Sequence, residues 1–222
     1  MSVDSDTSPL KLFLKQFVED FFHMGAILPS SGALAQAGVA YLAQKEGPVS
    51  ILEAGAGTGS FTQKIVPLLE SGDELDIVEI NPQLLAYLQQ RFEQEAEFQI
   101  PPDVAVNFLC KDLRKIEPKQ YDYIVFSLPL TNFPPEMVQE ILDLMVERLK
   151  PGGVFSYVKY IFISRLKYLF SNAEVKLKMR TNQEIIQTFT HRYQIERRAI
   201  MFNVPPTWVY YWQKPVSDES KW

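Results

Sequence analysis

Glu53-Ala54-Gly55-Ala56-Gly57-Thr58-Gly59 decides the reading of this 222-residue chain. The run before it, residues 49–54, is short and largely apolar and reads as a buried strand. The pattern after it, through Ile65 and Leu69, reads as a helix. Glycines at a strand-to-helix turn let the backbone pass close to a ligand and present N–H groups to it.

Outward from this turn, strand and helix alternate. Residues 75–79 form a second strand ending in Val78-Glu79, and 82–92 a helix. Residues 104–109 form a third strand, followed by Lys111-Asp112-Leu113. Residues 121–127 form a fourth, ending in Ser127-Leu128-Pro129-Leu130. Pro134-Pro135-Glu136 opens a helix with Val138, Ile141, Leu142, Met145 and Leu149 on one face. Lys150-Pro151-Gly152-Gly153 is expected to stop it, and 154–163 to be the fifth strand. A short helix over 182–189 and strands over 193–202 and 207–213 follow, the strands flanking Asn203-Val204-Pro205-Pro206. The alternation predicts an α/β, Rossmann-like fold: a mostly parallel seven-stranded sheet, helices on both faces and a C-terminal antiparallel hairpin.

Glu79 and Asp112 each end a strand, at the sheet edge where open α/β folds bind ligands. Glu79 can accept both hydroxyls of a ribose there, and Asp112 an adenine amino group. Taken singly, the glycines suit a bare tight turn and Asp112 a helix cap. In frame with the strands, the three point to a nucleoside-containing cofactor. The glycine spacing G-x-G-x-G differs from the G-x-G-x-x-G usual in nicotinamide and flavin binding.

E-x-G-x-G-x-G, V-E and K-D-L resemble motifs I to III of class I S-adenosylmethionine-dependent methyltransferases. The resemblance implies that Gly55, Gly57 and Gly59 approach the methionine part of the cofactor, Glu79 holds the ribose and Asp112 the adenine. Glu53, Ile80, Leu113 and Ser127 complete the expected cofactor set, and S-adenosylhomocysteine is the expected product. Ser127-Leu128-Pro129-Leu130 is similar to the motif with which amino-methyltransferases face the methyl group. There a polar side chain and the next carbonyl hold an amine. Ser127, Leu128, Pro129 and, on the fifth strand, Tyr160 are the candidate catalytic residues. No metal is expected, since only Cys110, His23 and His191 are at hand among the usual soft ligands.

Taken whole, the chain resembles bacterial phospholipid N-methyltransferases. The likeness includes Leu28-Pro29-Ser30-Ser31, the run from Ser127 to Pro135, and Asn203-Val204-Pro205-Pro206 with Trp208-Val209-Tyr210. Members typically read S-x-L-P-L, whereas here Ser127 directly precedes Leu128. The likeness implies methylation of phosphatidylethanolamine and its mono- and dimethyl forms toward phosphatidylcholine. Ornithine-type lipid and adenine in rRNA are the alternative acceptors, and a non-catalytic membrane module is the alternative of another class. The rRNA dimethylases usually carry N-[IL]-P-[YF] and a basic RNA-binding domain. The net charge of −5 speaks against nucleic acid as a partner.

Leu10, Phe13, Leu14, Phe17, Val18, Phe21 and Phe22 recur at helical spacing, with Lys11 and Lys15 beside the stripe. Such a helix suits either a core or a membrane interface. With the family likeness, residues 1–30 are expected to be an amphipathic helix at an anionic membrane surface, 31–215 the methyltransferase domain and 216–222 a tail. The basic stretch 165–180 suits the same surface. Met1 to Ser8 shows no leader-like apolar run, and no stretch approaches the ~18 apolar residues of a membrane span. A cytoplasmic enzyme, peripheral on the inner membrane face, is the expectation.

Overall fold

A computed structural model describes residues 32–160, 172–201 and 206–216. The expected helix over the first thirty residues, and residues 165–171 of the basic stretch, lie outside the described residues.

The sheet has seven strands: β1 (Ser50–Ala54), β2 (Glu74–Val78), β3 (Ala105–Leu109), β4 (Tyr121–Phe126), β5 (Leu149–Tyr160), β6 (Gln194–Ile200) and β7 (Thr207–Gln213). Their order is β3-β2-β1-β4-β5-β7-β6. β1 to β5 pair in parallel, β7 runs antiparallel to β5, and β6 antiparallel to β7. The predicted sheet, hairpin included, is the one observed.

Alternation along each strand sends side chains to two cores. Leu52, Ala54, Phe126 and Tyr157 join one, covered by α4 (Pro135–Arg148) and α5 (Ala173–Tyr193). Ile51, Ile77, Val125 and Val158 join the other. It is covered by α1 (Gly32–Gly38), α2 (Thr62–Ile65) and α3 (Pro82–Gln94). Asn81 caps α3 by accepting from Gln83 N and Leu84 N, and Pro82 occupies its first position, where no N–H is needed.

Two expectations are corrected. Pro151-Gly152-Gly153 does not separate α4 from the fifth strand, because β5 already begins at Leu149. The ladder shifts register there, between Tyr121 and Tyr123 of β4. Gly152 takes φ +80°, and a Cβ on Gly153 would press on three backbone carbonyls at 2.9–3.1 Å. The glycines therefore form a bulge within the sheet rather than its interruption. The short helix expected over 182–189 is the second half of α5, whose 21 residues begin at an Asn172 cap. Only Asn182, Ile186 and Phe189 are buried on it, so its first half shows no apolar stripe to read. Phe189 stacks on Trp212 of β7 with ring centroids 6.1 Å apart. Burial of Ile186 and Phe189 contributes about 1.5–3 kcal/mol each and fastens α5 to the sheet.

Candidate functional site

β1 and β4 are neighbours, but the chain leaves β1 for β2 on one side and β4 for β5 on the other. The crevice at their carboxyl ends is a topological switch point. Gly55, Glu79, Ile80, Asp112, Leu113 and Leu128, all predicted site residues, line one cleft there. Val78, Lys111, Phe133 and Ile141 complete its wall.

The glycine turn is held in left-handed backbone, with φ of +82° at Gly55, +57° at Gly57 and +88° at Gly59. The three glycines do different things. A Cβ on Gly55 would run into the Leu128 side chain. Gly57 has nothing within 4 Å of that position. A Cβ on Gly59 would meet Leu88 Cδ1 at 2.5 Å, on α3. Gly59 thus makes room for helix packing, and Gly55 for the Leu128 side chain in the cleft wall.

The Glu79 carboxylate is pinned by the backbone. Gly57 N–H donates to Oε2 at 2.9 Å and Asn81 N–H to Oε1 at 2.8 Å. Burial raises its pKa, and these bonds oppose the rise. Asp112 Oδ1 accepts from Arg114 N and Nε at 3.0 and 3.1 Å, and Oδ2 from Arg114 Nη2 at 2.7 Å. Burial pushes its pKa up, but the hydrogen bonds and charge of Arg114 prevail and hold the carboxyl below its ordinary value. Asp112 stays ionised, with Oδ2 accepting one bond and open to a second.

Glu53 lies under the turn, 1% exposed. Its Oε2 accepts from Thr62 Oγ1 at 2.7 Å, and its Oε1 is buried without a donor among the described residues. Burial lifts its pKa to about 7. An unfolded glutamate loses its proton near 4.5, so the folded chain holds more protons between the two values. The stability contributed by Glu53 therefore falls as pH rises from about 4.5 to 7, by on the order of 3 kcal/mol. Glu53→Gln removes this dependence. Without cofactor, the melting temperature of Glu53→Gln minus that of the unaltered chain should climb from pH 5 to pH 8. A difference that stays flat would mean Glu53 is already ionised at pH 5.

Ser127 faces back toward the donor turn. Its hydroxyl donates to the carbonyl of Gly55 at 2.5 Å, with that of Ala54 at 3.3 Å. Leu128 covers Gly55, and Pro129, at φ −80° and ψ 78°, sits in an inverse γ-turn closed by Leu130 N–H to Leu128 O at 3.0 Å. Tyr160 ends β5 opposite Thr207, and its side chain lies outside the described part. Glu53, Gly57, Gly59, Ser127 and Pro129 are thus around the cleft rather than in its wall.

Five contributors escape a reading by motif. Arg91 of α3, clamped by Glu95, donates to Thr58 O at 2.8 Å and braces the glycine turn from outside. Phe133 and Ile141 look like ordinary core positions. Asn182 of α5 is fully buried, and its Nδ2 donates to Phe133 O at 2.8 Å and lies 3.4 Å from Thr131 O. Lys178 adds a bond to Asn132 O at 3.0 Å. α5 therefore fixes the segment that follows Pro129. Asn182→Ala strands buried carbonyls, at about 1–3 kcal/mol, and should lower the melting temperature by roughly 2–10 °C. It should slow turnover more than it weakens cofactor binding, as turnover assays and calorimetry would compare.

The comparisons agree with this geometry. Residues 52–155 match the family model described as a methyltransferase domain. The ornithine lipid N-methyltransferase of Singulisphaera acidiphila is 27% identical over 147 residues, covering 66% of this chain and 76% of that protein. Among solved structures, an S-adenosylmethionine-dependent methyltransferase from Methanosarcina mazei has a TM-score of 0.60 at 15% identity, covering 78% of this chain and 95% of that one. The magnesium protoporphyrin IX methyltransferase of Synechocystis, with S-adenosylmethionine bound, has a TM-score of 0.53 at 14% identity, covering 96% and 86%. Residues 52–155 thus match a methyltransferase domain, and the chain has the fold of class I methyltransferases.

Proposed function

We propose that this chain methylates the amino headgroup of a zwitterionic membrane lipid. The observation that carries the reading is the single cleft joining Gly55, Glu79 and Asp112 to Leu128, the donor turn to the acceptor loop. S-adenosylmethionine offers donors: an ammonium, two ribose hydroxyls and an adenine amino group. The site offers acceptors, the carboxylates of Glu79 and Asp112 and the unpartnered Oε1 of Glu53. Three acids also suit a cationic cofactor.

When bound, S-adenosylmethionine supplies a methyl carbon on a sulfonium, open to in-line displacement by an amine lone pair. The chain's part is to position and to desolvate. Glu79 and Asp112 orient the cofactor. Ser127 ties the acceptor loop to Gly55, which fixes how Leu128 and Pro129 stand over the turn. Leu113, Leu128, Phe133 and Ile141 exclude water. A low-dielectric pocket favours the neutral, nucleophilic amine without a dedicated base.

Phosphatidylethanolamine and its mono- and dimethyl forms are the first acceptor, on the likeness spread over the whole sequence. Ornithine-type lipid is the second, favoured by the Singulisphaera relative. The reading includes a peripheral place on the cytoplasmic face of a membrane, with residues 9–24 and the basic stretch 165–180 against anionic lipid. Among the described residues no helix is long and apolar enough to cross a membrane.

The test is methyl transfer from labelled S-adenosylmethionine to liposomes holding either lipid, with mono-, di- and trimethyl products resolved. Label in phosphatidylethanolamine products establishes the first acceptor, and label in ornithine lipid alone the second. Label in neither, with cofactor binding intact, removes the lipid reading and turns attention to structured RNA.

A further inference from the structure

Among the described residues Lys159 is a cation without a counter-charge. It is half-buried near the end of β5, and among the described residues it makes no hydrogen bond or ion pair. Two lysines sheltered elsewhere, Lys45 and Lys119, are matched by acids. Lys45 sits 2.8 Å from Glu70 and 3.1 Å from Asp73, and Lys119 2.5 Å from Glu74 and 2.8 Å from Asp76. A half-buried ammonium left unpaired carries a desolvation cost that a bound anion offsets.

Among the described residues the surroundings supply none. Phe155 and Tyr157 belong to one core and Val154 and Val158 to the other, so alternation puts Lys159 on the side of Tyr157. Its register partner is Trp208, and Tyr157 faces and stacks on Tyr210 with ring centroids 6.0 Å apart. One strand further, Arg197 stands opposite Tyr210 and lies 4.7 Å over the Trp208 ring. Glu196 pairs with Tyr211, on the opposite side, and is committed to Arg198 and Tyr41. Lys159 and Arg197 are thus two cations on one aromatic face. Desolvation alone pulls the Lys159 pKa down, as expected where no acid opposes it.

Along the sheet this place is level with the acceptor loop. The last paired residues of β4 and β5 are Phe126 and Tyr157. Leu128, in the cleft wall, and Lys159 each lie two residues beyond that pair. We propose that Lys159 binds the acidic group of the acceptor lipid's headgroup. The proposal rests on the lipid reading above and deepens it. A zwitterionic amino headgroup carries its anion, a phosphodiester or a carboxylate, a few bonds from the amine. Holding that anion at Lys159 fixes the distance from which the amine reaches the cleft. It also selects zwitterionic lipids over simple amines. Tyr210 on the same aromatic face suits the trimethylated product, which is permanently cationic.

Lys159→Met and Lys159→Arg test it, with two soluble probes. Glycerophosphoethanolamine presents the phosphodiester, and Nα-acetylornithine the carboxylate. Calorimetry should show binding of one probe weakened roughly tenfold to a hundredfold by Lys159→Met and largely restored in Lys159→Arg. S-adenosylmethionine affinity should stay unchanged in both. The probe that responds identifies the anion. In mixed micelles, KM for the matching lipid should rise by a similar factor in Lys159→Met, with methylation of hexadecylamine, which has no anion, unaltered. Equal probe binding by Lys159→Met and the unaltered chain overturns the proposal while leaving the lipid reading intact. So does an equal loss on hexadecylamine. Should the unaltered chain methylate neither lipid, the lipid reading falls. The Lys159 site then survives only if probe binding is present and sensitive to Lys159→Met.

Discussion

Glu79→Ala should abolish measurable binding of S-adenosylmethionine at micromolar concentrations. Two hydroxyl-to-carboxylate hydrogen bonds are worth about 1.5–3 kcal/mol each, so affinity should fall by roughly a hundredfold to ten-thousandfold. The loss is amplified because the same carboxylate accepts from Gly57 and Asn81 and holds the turn against β2. Stability of the cofactor-free chain should change far less. Burial already raises the Glu79 pKa, so its removal relieves a desolvated charge while it loses two bonds. The readout is the shift in melting temperature on adding cofactor, present in the unaltered chain and absent in Glu79→Ala. A variant that keeps the shift would show that the ribose is held elsewhere and that Glu79 serves the turn alone.

Gly55→Ala should damage both fold and activity, and more than Gly57→Ala. Both positions have positive φ, which disfavours an L side chain by about 1–2 kcal/mol. At Gly57 the added methyl meets open space, so the backbone strain is the whole stability effect. At Gly55 it meets Leu128, which must move and take Ser127 with it. The expected loss is about 2–4 kcal/mol, or roughly 5–15 °C in melting temperature, with kcat/KM down at least about a hundredfold. Leu128→Ala should partly restore Gly55→Ala, with a coupling of about 1 kcal/mol or more in a double-mutant cycle. If the two glycine variants melt together, the contact with Leu128 is not what keeps position 55 free of a side chain.

The residues legible in the sequence are those whose role follows from a place at a strand end. Glu79 and Asp112 could be picked because a carboxylate there has few places to point. The seven strands followed from alternation and length. What stayed hidden depends on partners distant in the chain. Ser127 reads as a residue for holding an amine, yet its proton goes to Gly55 O, a carbonyl whose position only the pairing of β1 with β4 fixes. Gly59 looks like its two companions and differs because α3 brings Leu88 against it. Asp112 suits an adenine, but its sharing with Arg114 depends on a turn of Leu113–Lys115 that no motif marks. α5 was seen by half because a helix that buries three residues carries little hydrophobic signal.

The grip of Asn182 on the acceptor loop has a consequence for how the chain is made. Asn182 binds carbonyls 49 to 52 residues earlier in the sequence. Chains are synthesised from the N-terminus, and contacts between distant residues close late. A nascent chain therefore completes the glycine turn and its carboxylates before the loop that receives the acceptor has its clamp. The domain becomes able to hold its methyl donor earlier than it becomes able to deliver the methyl. Competence for transfer is the last property it acquires, and it arrives with the docking of α5 on the segment from Leu130 to Phe133.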